Sequence, residues 1–255
     1  MFNVGDLVVI NNDVDKHIYK IDKISDKIKV VGCNYRFIKY VEQDEITHAS
    51  KEEILKAEEQ SRQVKQKLTK ILNVRNKKAI FGRILHIDGD NDYLESCLKL
   101  YEEIGLYAEG ICLEEKEMPL IIEKIVLDTT PDIIVITGHD VYKGNNLANI
   151  ENYENSIHFV KTIRKIRKHY LTDSVVIIAG ACGSHFEALI GSGANYASSP
   201  KRINTHTYDP AIVAIKVAST PITKLVEFES ILKYIENGRD AIGGIETFGK
   251  MRLLL

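Results

Sequence analysis

Two uninterrupted apolar runs, Ile133-Ile134-Val135-Ile136 and Val175-Val176-Ile177-Ile178, constrain the fold more than any other feature of this 255-residue chain. A strand with one wet face alternates apolar and polar residues, whereas a strand apolar on both sides must be covered on both faces. Two further strands precede these runs, Ile84-Leu85-His86-Ile87 and residues 107–112. Helical spacing fills the gaps. Residues 93–104 place Leu94, Leu98 and Tyr101 on one side and stop at Gly105, and residues 118–127 and 156–169 follow the same period. The alternation predicts an α/β unit over residues 79–255, an open, mostly parallel sheet flanked by helices.

The first 48 residues read differently. Val4 to Ile10, then Ile18-Tyr19-Lys20-Ile21, Ile28-Lys29-Val30-Val31 and Tyr35-Arg36-Phe37-Ile38 are short strands about ten residues apart, separated by turn residues such as Asn11-Asn12-Asp13. That spacing predicts a small β-barrel, SH3-like, over residues 1–48. Residues 49–78 read as a helical connector. Ser50 caps it, Glu52 and Glu53 occupy its first turn, and Ile54, Leu55, Leu68, Ile71 and Leu72 lie along one face. Its basic residues, Arg62, Lys65, Lys67, Lys70, Arg75, Lys77 and Lys78, read as a solvated face, with a partner-binding surface as the alternative.

Composition excludes several classes. With 44% apolar residues the chain can build a sizeable core, and a formal charge of −2 gives no general attraction to nucleic acid or membrane. No apolar run approaches the roughly 20 residues that span a bilayer, so no membrane insertion is expected. Met-Phe-Asn-Val-Gly-Asp lacks a basic region followed by an apolar core, so no signal peptide is expected either. The four cysteines, Cys33, Cys97, Cys112 and Cys182, form no Cys-x-x-Cys pair, which argues against a disulfide framework or a zinc site. No metal or cofactor is expected.

In open α/β sheets, chemistry gathers beyond the carboxyl ends of the strands. The third strand runs out into Thr137-Gly138-His139-Asp140, and the fourth into Ala179-Gly180-Ala181-Cys182-Gly183-Ser184-His185. Small residues around Cys182 leave room for a substrate backbone. A helix expected from Ser184 would aim backbone N–H groups at the sulfur, favouring a thiolate and an oxyanion. Cys182 is therefore the candidate nucleophile and His139 its base, with Gly138, Gly183 and His185 as supporting or oxyanion-hole residues. The alternative is a small buried cysteine where a strand packs on a helix. His185, one helical turn from Cys182, competes as base, and His86, His206 and Asp140 are weaker candidates.

An apolar block leading to a Gly/His pair, then a second leading to Ala-Cys-Gly, resembles the caspase-like (clan CD) cysteine peptidases, although Gly138-His139 inverts their usual His-Gly. In that fold the histidine follows the third strand and the cysteine the fourth. Leu85-His86-Ile87-Asp88-Gly89-Asp90, Glu115-Lys116-Glu117-Met118-Pro119, residues 131–140, 179–187 and 193–200, and Gly243-Gly244-Ile245-Glu246-Thr247 are more specific. They are similar to the YabG family of sporulation-specific peptidases from spore-forming Firmicutes, whose histidine and cysteine fall on His139 and Cys182. The resemblance implies an endopeptidase of the sporulating mother-cell cytoplasm, associated with the spore coat. Its implied partners are spore coat and spore-assembly proteins, cut after basic residues, chiefly Arg. A buried guanidinium needs an acidic partner, and Asp209, Asp88 and Asp90 are all candidates. Three rival readings are a receiver-like module on Asp88-Gly89-Asp90, which lacks an Asp after the third strand, a cobalamin-type domain on His86-x-Asp88-Gly89, and a coat scaffold with an inert Cys182.

Overall fold

The computed structural model describes residues 2–71 and 78–254, so Leu72, Arg75 and Lys77 of the expected connector lie outside the described residues. The chain opens with five short strands, β1 (Leu7–Ile10), β2 (Tyr19–Ile24), β3 (Ile28–Gly32), β4 (Ile38–Val41) and β5 (Ile46–His48). They form one antiparallel sheet in the order β4-β3-β2-β1-β5. β1, β2 and β3 stand close to where the sequence predicts them, but the strand expected over residues 35–38 is mostly the connection that leads into β4, and the sequence does not single out β5. Among the described residues β4 and β5 remain edges, and the sheet does not close into the expected SH3-like barrel. Its apolar face is covered from outside instead. Val8, Tyr19, Ile21, Val30 and Phe37 share one buried cluster with Cys182, and Val31 and Ile38 share another with Tyr93. Closure is unnecessary when a second unit buries the same surface.

Helix α1 (Lys51–Ile71) follows. Ser50 Oγ accepts from Glu53 N at 3.2 Å while the Glu53 carboxylate accepts from Ser50 N at 2.8 Å, the reciprocal box that fixes a helix start. Leu68 is buried in the main core, whereas Leu55 is exposed.

The second unit runs β6 (Ala79–Ile80), β7 (Ile84–Asp88), α2 (Asn91–Ile104), β8 (Ala108–Cys112), α3 (Met118–Thr129), β9 (Ile133–Thr137), α4 (Ser156–Arg167), β10 (Val176–Ala179), α5 (Phe186–Gly191), β11 (Tyr196–Ser198), α6 (Asp209–Ser219), α7 (Glu229–Leu232), β12 (Ile242–Gly244) and β13 (Arg252–Leu253). Six strands form a mixed sheet ordered β8-β7-β9-β10-β11-β12, parallel except for β12, and β13 pairs separately with β6. The apolar runs alternate between its two faces. Ile133, Val135, Val176 and Ile178 pack under α2 and α6, while Ile134, Ile136, Ile177 and Ala179 pack under α3 and α4. Among the described residues, no helix is long and apolar enough to cross a membrane.

This strand order positions the site. From β7 the chain passes through α2 to β8 on one side, then through α3 to β9 on the other. The carboxyl ends of β7 and β9 therefore flank a topological switch point, where connections diverge and leave a crevice.

Candidate functional site

Both strands at the switch point end in a glycine followed by a chemically active side chain. β7 ends at Asp88 and is followed by Gly89 and Asp90, and Gly89 N donates to Thr137 O at 3.0 Å, tying the two strand ends together. Asp90 caps α2. Its Oδ1 accepts from Asp92 N at 2.9 Å and Tyr93 N at 3.3 Å, leaving Oδ2 3.0 Å from His139 Nε2. Burial alone would raise the Asp90 carboxyl, but the hydrogen bond to and charge of His139, with the Tyr93 N–H, hold it below its ordinary value.

His139 is held at four points. Its backbone N donates to Glu115 Oε1 at 2.7 Å, its carbonyl accepts from Asn155 Nδ2 at 2.9 Å, Asp90 binds the ring, and the Tyr93 ring lies 5.4 Å away edge-on. Glu115 reaches between the strand ends only because both flanking residues are glycines. A Cβ on Gly89 or Gly138 would stand 2.3 or 2.4 Å from its Oε1. With Asp90 ionised, the proton on the Asp90 side belongs to Nε2, which leaves Nδ1 as the basic nitrogen. Nδ1 is buried and has no hydrogen-bond partner among the described residues.

Cys182 follows β10, the neighbour of β9. Gly180 (φ +112°) and Gly183 (φ +69°) adopt left-handed conformations that turn the chain over the sheet edge. The residue is only 3% exposed; its sulfur accepts from Thr205 N at 3.0 Å and faces Thr205 O at 3.4 Å. Burial pushes the thiol up to about 12, against the opposing pull of the Thr205 N–H and the Arg36 charge, so the resting thiol is neutral. Gly183 N donates to Ser199 Oγ at 3.0 Å.

The helix after the cysteine begins at Phe186 rather than Ser184, because Ser184 and His185 serve the turn and the cap. Ser184 Oγ accepts from Ala181 N at 2.8 Å. His185 caps α5 through Nδ1, which accepts from Ala188 N at 3.3 Å, and its Nε2 stands 3.1 Å from Ala148 O. Both ring nitrogens are thus engaged. Asp140 clamps the loop after β9, accepting from Val141 N, Asn155 N and Ser156 Oγ, and burial raises it to about 6 despite those bonds.

The other acidic candidates divide cleanly. Asp88 is fully buried, with Oδ2 2.6 Å from Arg36 Nη1 and accepting from Thr137 Oγ1 at 2.8 Å; burial opposes its charge, but Arg36 holds it well below the carboxylate range. Asp209 begins α6 on the wall of a cavity of about 600 Å³, also lined by Tyr35, His206 and Glu236. Its Oδ2 accepts from His206 N at 2.9 Å, and burial lifts it to about 8. His86 is buried with Nε2 2.9 Å from Thr137 Oγ1 and Nδ1 3.1 Å from Tyr101 Oη, so neither nitrogen is available to a cobalt centre. Among the described residues, Asp13, Asp15 and His17 offer ligand atoms within 4.8 Å of one another, but Asp13 Oδ2 already accepts from Tyr19 Oη at 2.8 Å and lies 3.0 Å from His17 Nδ1.

Three residues of this cluster escape a reading of local sequence: Glu115, Tyr93 and Arg36. Each acts across a long stretch of chain, and no short-range period marks them. The one available signal for Glu115 is its place in the Glu115-Lys116-Glu117-Met118-Pro119 segment.

Residues 3–255 match the model of a family described as YabG peptidase U57. The sporulation-specific protease YabG of Bacillus subtilis is 42% identical over 175 residues, spanning 68% of this chain and 60% of that protein's length. Among solved structures, a sugar ABC transporter from Actinomyces odontolyticus is 9% identical, covers 75% of this chain and 60% of its own, and has a TM-score of 0.34. The pyridoxal-5′-phosphate dependent protein YhfS from Escherichia coli is 11% identical over 67% and 51% of the two chains, with a TM-score of 0.28. Likeness at that level carries no argument. The family match extends over almost all of the sequence, including both strand ends that carry His139 and Cys182, and the chain belongs to the YabG peptidase U57 family.

Proposed function

We propose that this chain is a cysteine endopeptidase of sporulation that cuts spore coat and related spore proteins after Arg or Lys, with Cys182 as nucleophile and His139 as base. The observation that carries the reading is the state of His139. Its ring is fixed by Asp90 through Nε2, and its buried Nδ1 has no hydrogen-bond partner among the described residues, at a strand end next to the one that delivers Cys182. An unsatisfied buried nitrogen costs about 1–3 kcal/mol, a cost tolerated where the group has chemical work to do. The order of the main sheet supports the caspase-like comparison, since His139 follows its third strand and Cys182 its fourth.

The reaction runs as acyl transfer. His139 Nδ1 takes the proton of Cys182, and the sulfur forms a bond to the carbonyl carbon of the basic residue. Backbone N–H groups near Gly138 and Cys182 hold the negative oxygen. The C–N bond then breaks, and the departing amine takes the proton from the imidazolium. Water, deprotonated by the same nitrogen, attacks the thioester and returns the thiol. Because the resting thiol is neutral and gripped by Thr205, substrate binding must loosen that grip before transfer. Incubation of the purified protein with a peptide library, followed by mapping of new termini, tests the assignment. New carboxyl termini at Arg and Lys are expected, and their absence, or their persistence in His139→Ala, contradicts it.

A further inference from the structure

The connection between β3 and β4, residues 33–37, does not stay on the N-terminal sheet. It runs against residues 205–207 of the second unit. Arg36 N donates to Thr205 O at 3.2 Å, Thr207 N donates to Asn34 O at 3.1 Å, and Tyr35 forms an antiparallel bridge with His206. Thr205 is also the residue whose backbone grips the Cys182 sulfur. On the opposite side, Phe37 bridges to Asp140, the residue after His139, and it packs in one cluster with Cys182. A short stretch of backbone is therefore bound by strand addition between the two candidate catalytic residues, which is how proteins commonly hold an extended peptide.

The side chain of Arg36 completes the likeness. It is fully buried, with Nη1 2.6 Å from Asp88 Oδ2, Nη2 3.3 Å from Thr207 O and Cζ 4.9 Å from the centre of the Tyr93 ring. A carboxylate, a carbonyl and an aromatic face form a binding site for a guanidinium. Arginine is almost never buried to this extent, and an ion pair that merely fastened two sheets would be replaceable by apolar contacts at little or no loss. The other two acids are otherwise engaged, Asp90 with His139 and the α2 cap, Asp209 with His206 N. The backbone also bends at Arg36 itself, the centre of a tight turn in which Phe37 N donates to Tyr35 O at 2.9 Å, before Gly32 N closes the loop on Phe37 O at 3.1 Å. A loop so closed suits an occupant better than a straight-through substrate.

We propose that Asp88, the Tyr93 ring and the Thr207 carbonyl form the pocket for the basic side chain ahead of the scissile bond, and that Arg36 fills it in the resting protein as a built-in competitor. This rests on the peptidase reading above. Substrate must displace the loop, so apparent affinity is reduced by the fraction of molecules whose pocket is open.

The test measures alkylation of Cys182 by a peptidyl-arginyl acyloxymethyl ketone, followed by intact mass, in the wild type, Arg36→Ala and Arg36→Lys. Arg36→Ala should react roughly tenfold or more faster than the wild type, as expected when a mostly closed site is opened. N-ethylguanidinium should slow that reaction and raise the Tm of Arg36→Ala, while leaving the wild-type Tm unmoved. A folded Arg36→Ala that reacts no faster, with no competition from N-ethylguanidinium, overturns the proposal. Where Arg36→Ala does not fold, Arg36→Lys decides. Its charge is retained and its planar fork lost, so faster alkylation than wild type supports the competitor and equal or slower alkylation refutes it. If N-ethylguanidinium still stabilises the substituted protein but the probe never reaches Cys182 in any form, the pocket stands and the peptidase reading falls.

Discussion

Asp90 holds His139 with one oxygen and starts a helix with the other, so its two functions separate on substitution. Asp90→Asn retains an acceptor for the α2 N–H groups but can present an amide N–H to the ring, favouring the wrong tautomer. We expect the protein to stay folded while kcat falls by roughly 10²–10⁴-fold, the usual range for loss of a positioned base; peptide turnover alongside a thermal melt checks this. Asp209 makes a different prediction. Its folded-state value of about 8 lies above the ordinary carboxylate value of 3.8. The folded state therefore holds a proton that the unfolded state has lost, and stability falls as pH rises from about 4 to about 8. Asp209→Asn, which keeps an acceptor for His206 N, should flatten that dependence. Thermal unfolding at pH 5 and pH 8 should show a smaller Tm difference in the variant than in the wild type, and an equal difference would contradict the assignment.

At the scale of elements, glycine marks where two of them stop or meet. Gly105 ends α2 in a left-handed conformation (φ +93°), with its N–H bonded to Tyr101 O and Glu102 O. Gly105→Ala should cost about 1–2 kcal/mol in chemical denaturation, the penalty for an ordinary residue in that conformation. Gly138→Ala should act on activity instead, because its Cβ drives Glu115 off the His139 N–H. Peptide turnover should drop more than stability does. The helices and buried strands were the legible part of the sequence. The runs at Ile133 and Val175 specify elements covered on both faces, and their termini put His139 and Cys182 on neighbouring strand ends. The start of α5 was less legible by two residues, because Ser184 and His185 spend their side chains on the turn and the cap. That choice depends on Ala181 and Ala188 in three dimensions, and no helical period reveals it.

At the scale of the molecule, the N-terminal sheet and the α/β unit share an interior. Alternation in the first 48 residues identifies which face of each strand is buried, but not what buries it. A closed barrel and an open sheet docked on a neighbour leave the same pattern. The docking depends on Arg36, Phe37 and Tyr93, whose partners lie far along the chain. Because Cys182 belongs to the cluster under that sheet, reagents should reach its sulfur slowly in the resting protein. Iodoacetamide should alkylate exposed Cys112 well before Cys182, and the order can be read by peptide mapping. The decisive experiment for Cys182 as nucleophile is cleavage of an arginine-containing peptide by purified wild-type protein and by Cys182→Ala. Cleavage on the carboxyl side of arginine by the wild type, and none by the variant, is the predicted result; equal cleavage by both would contradict the account.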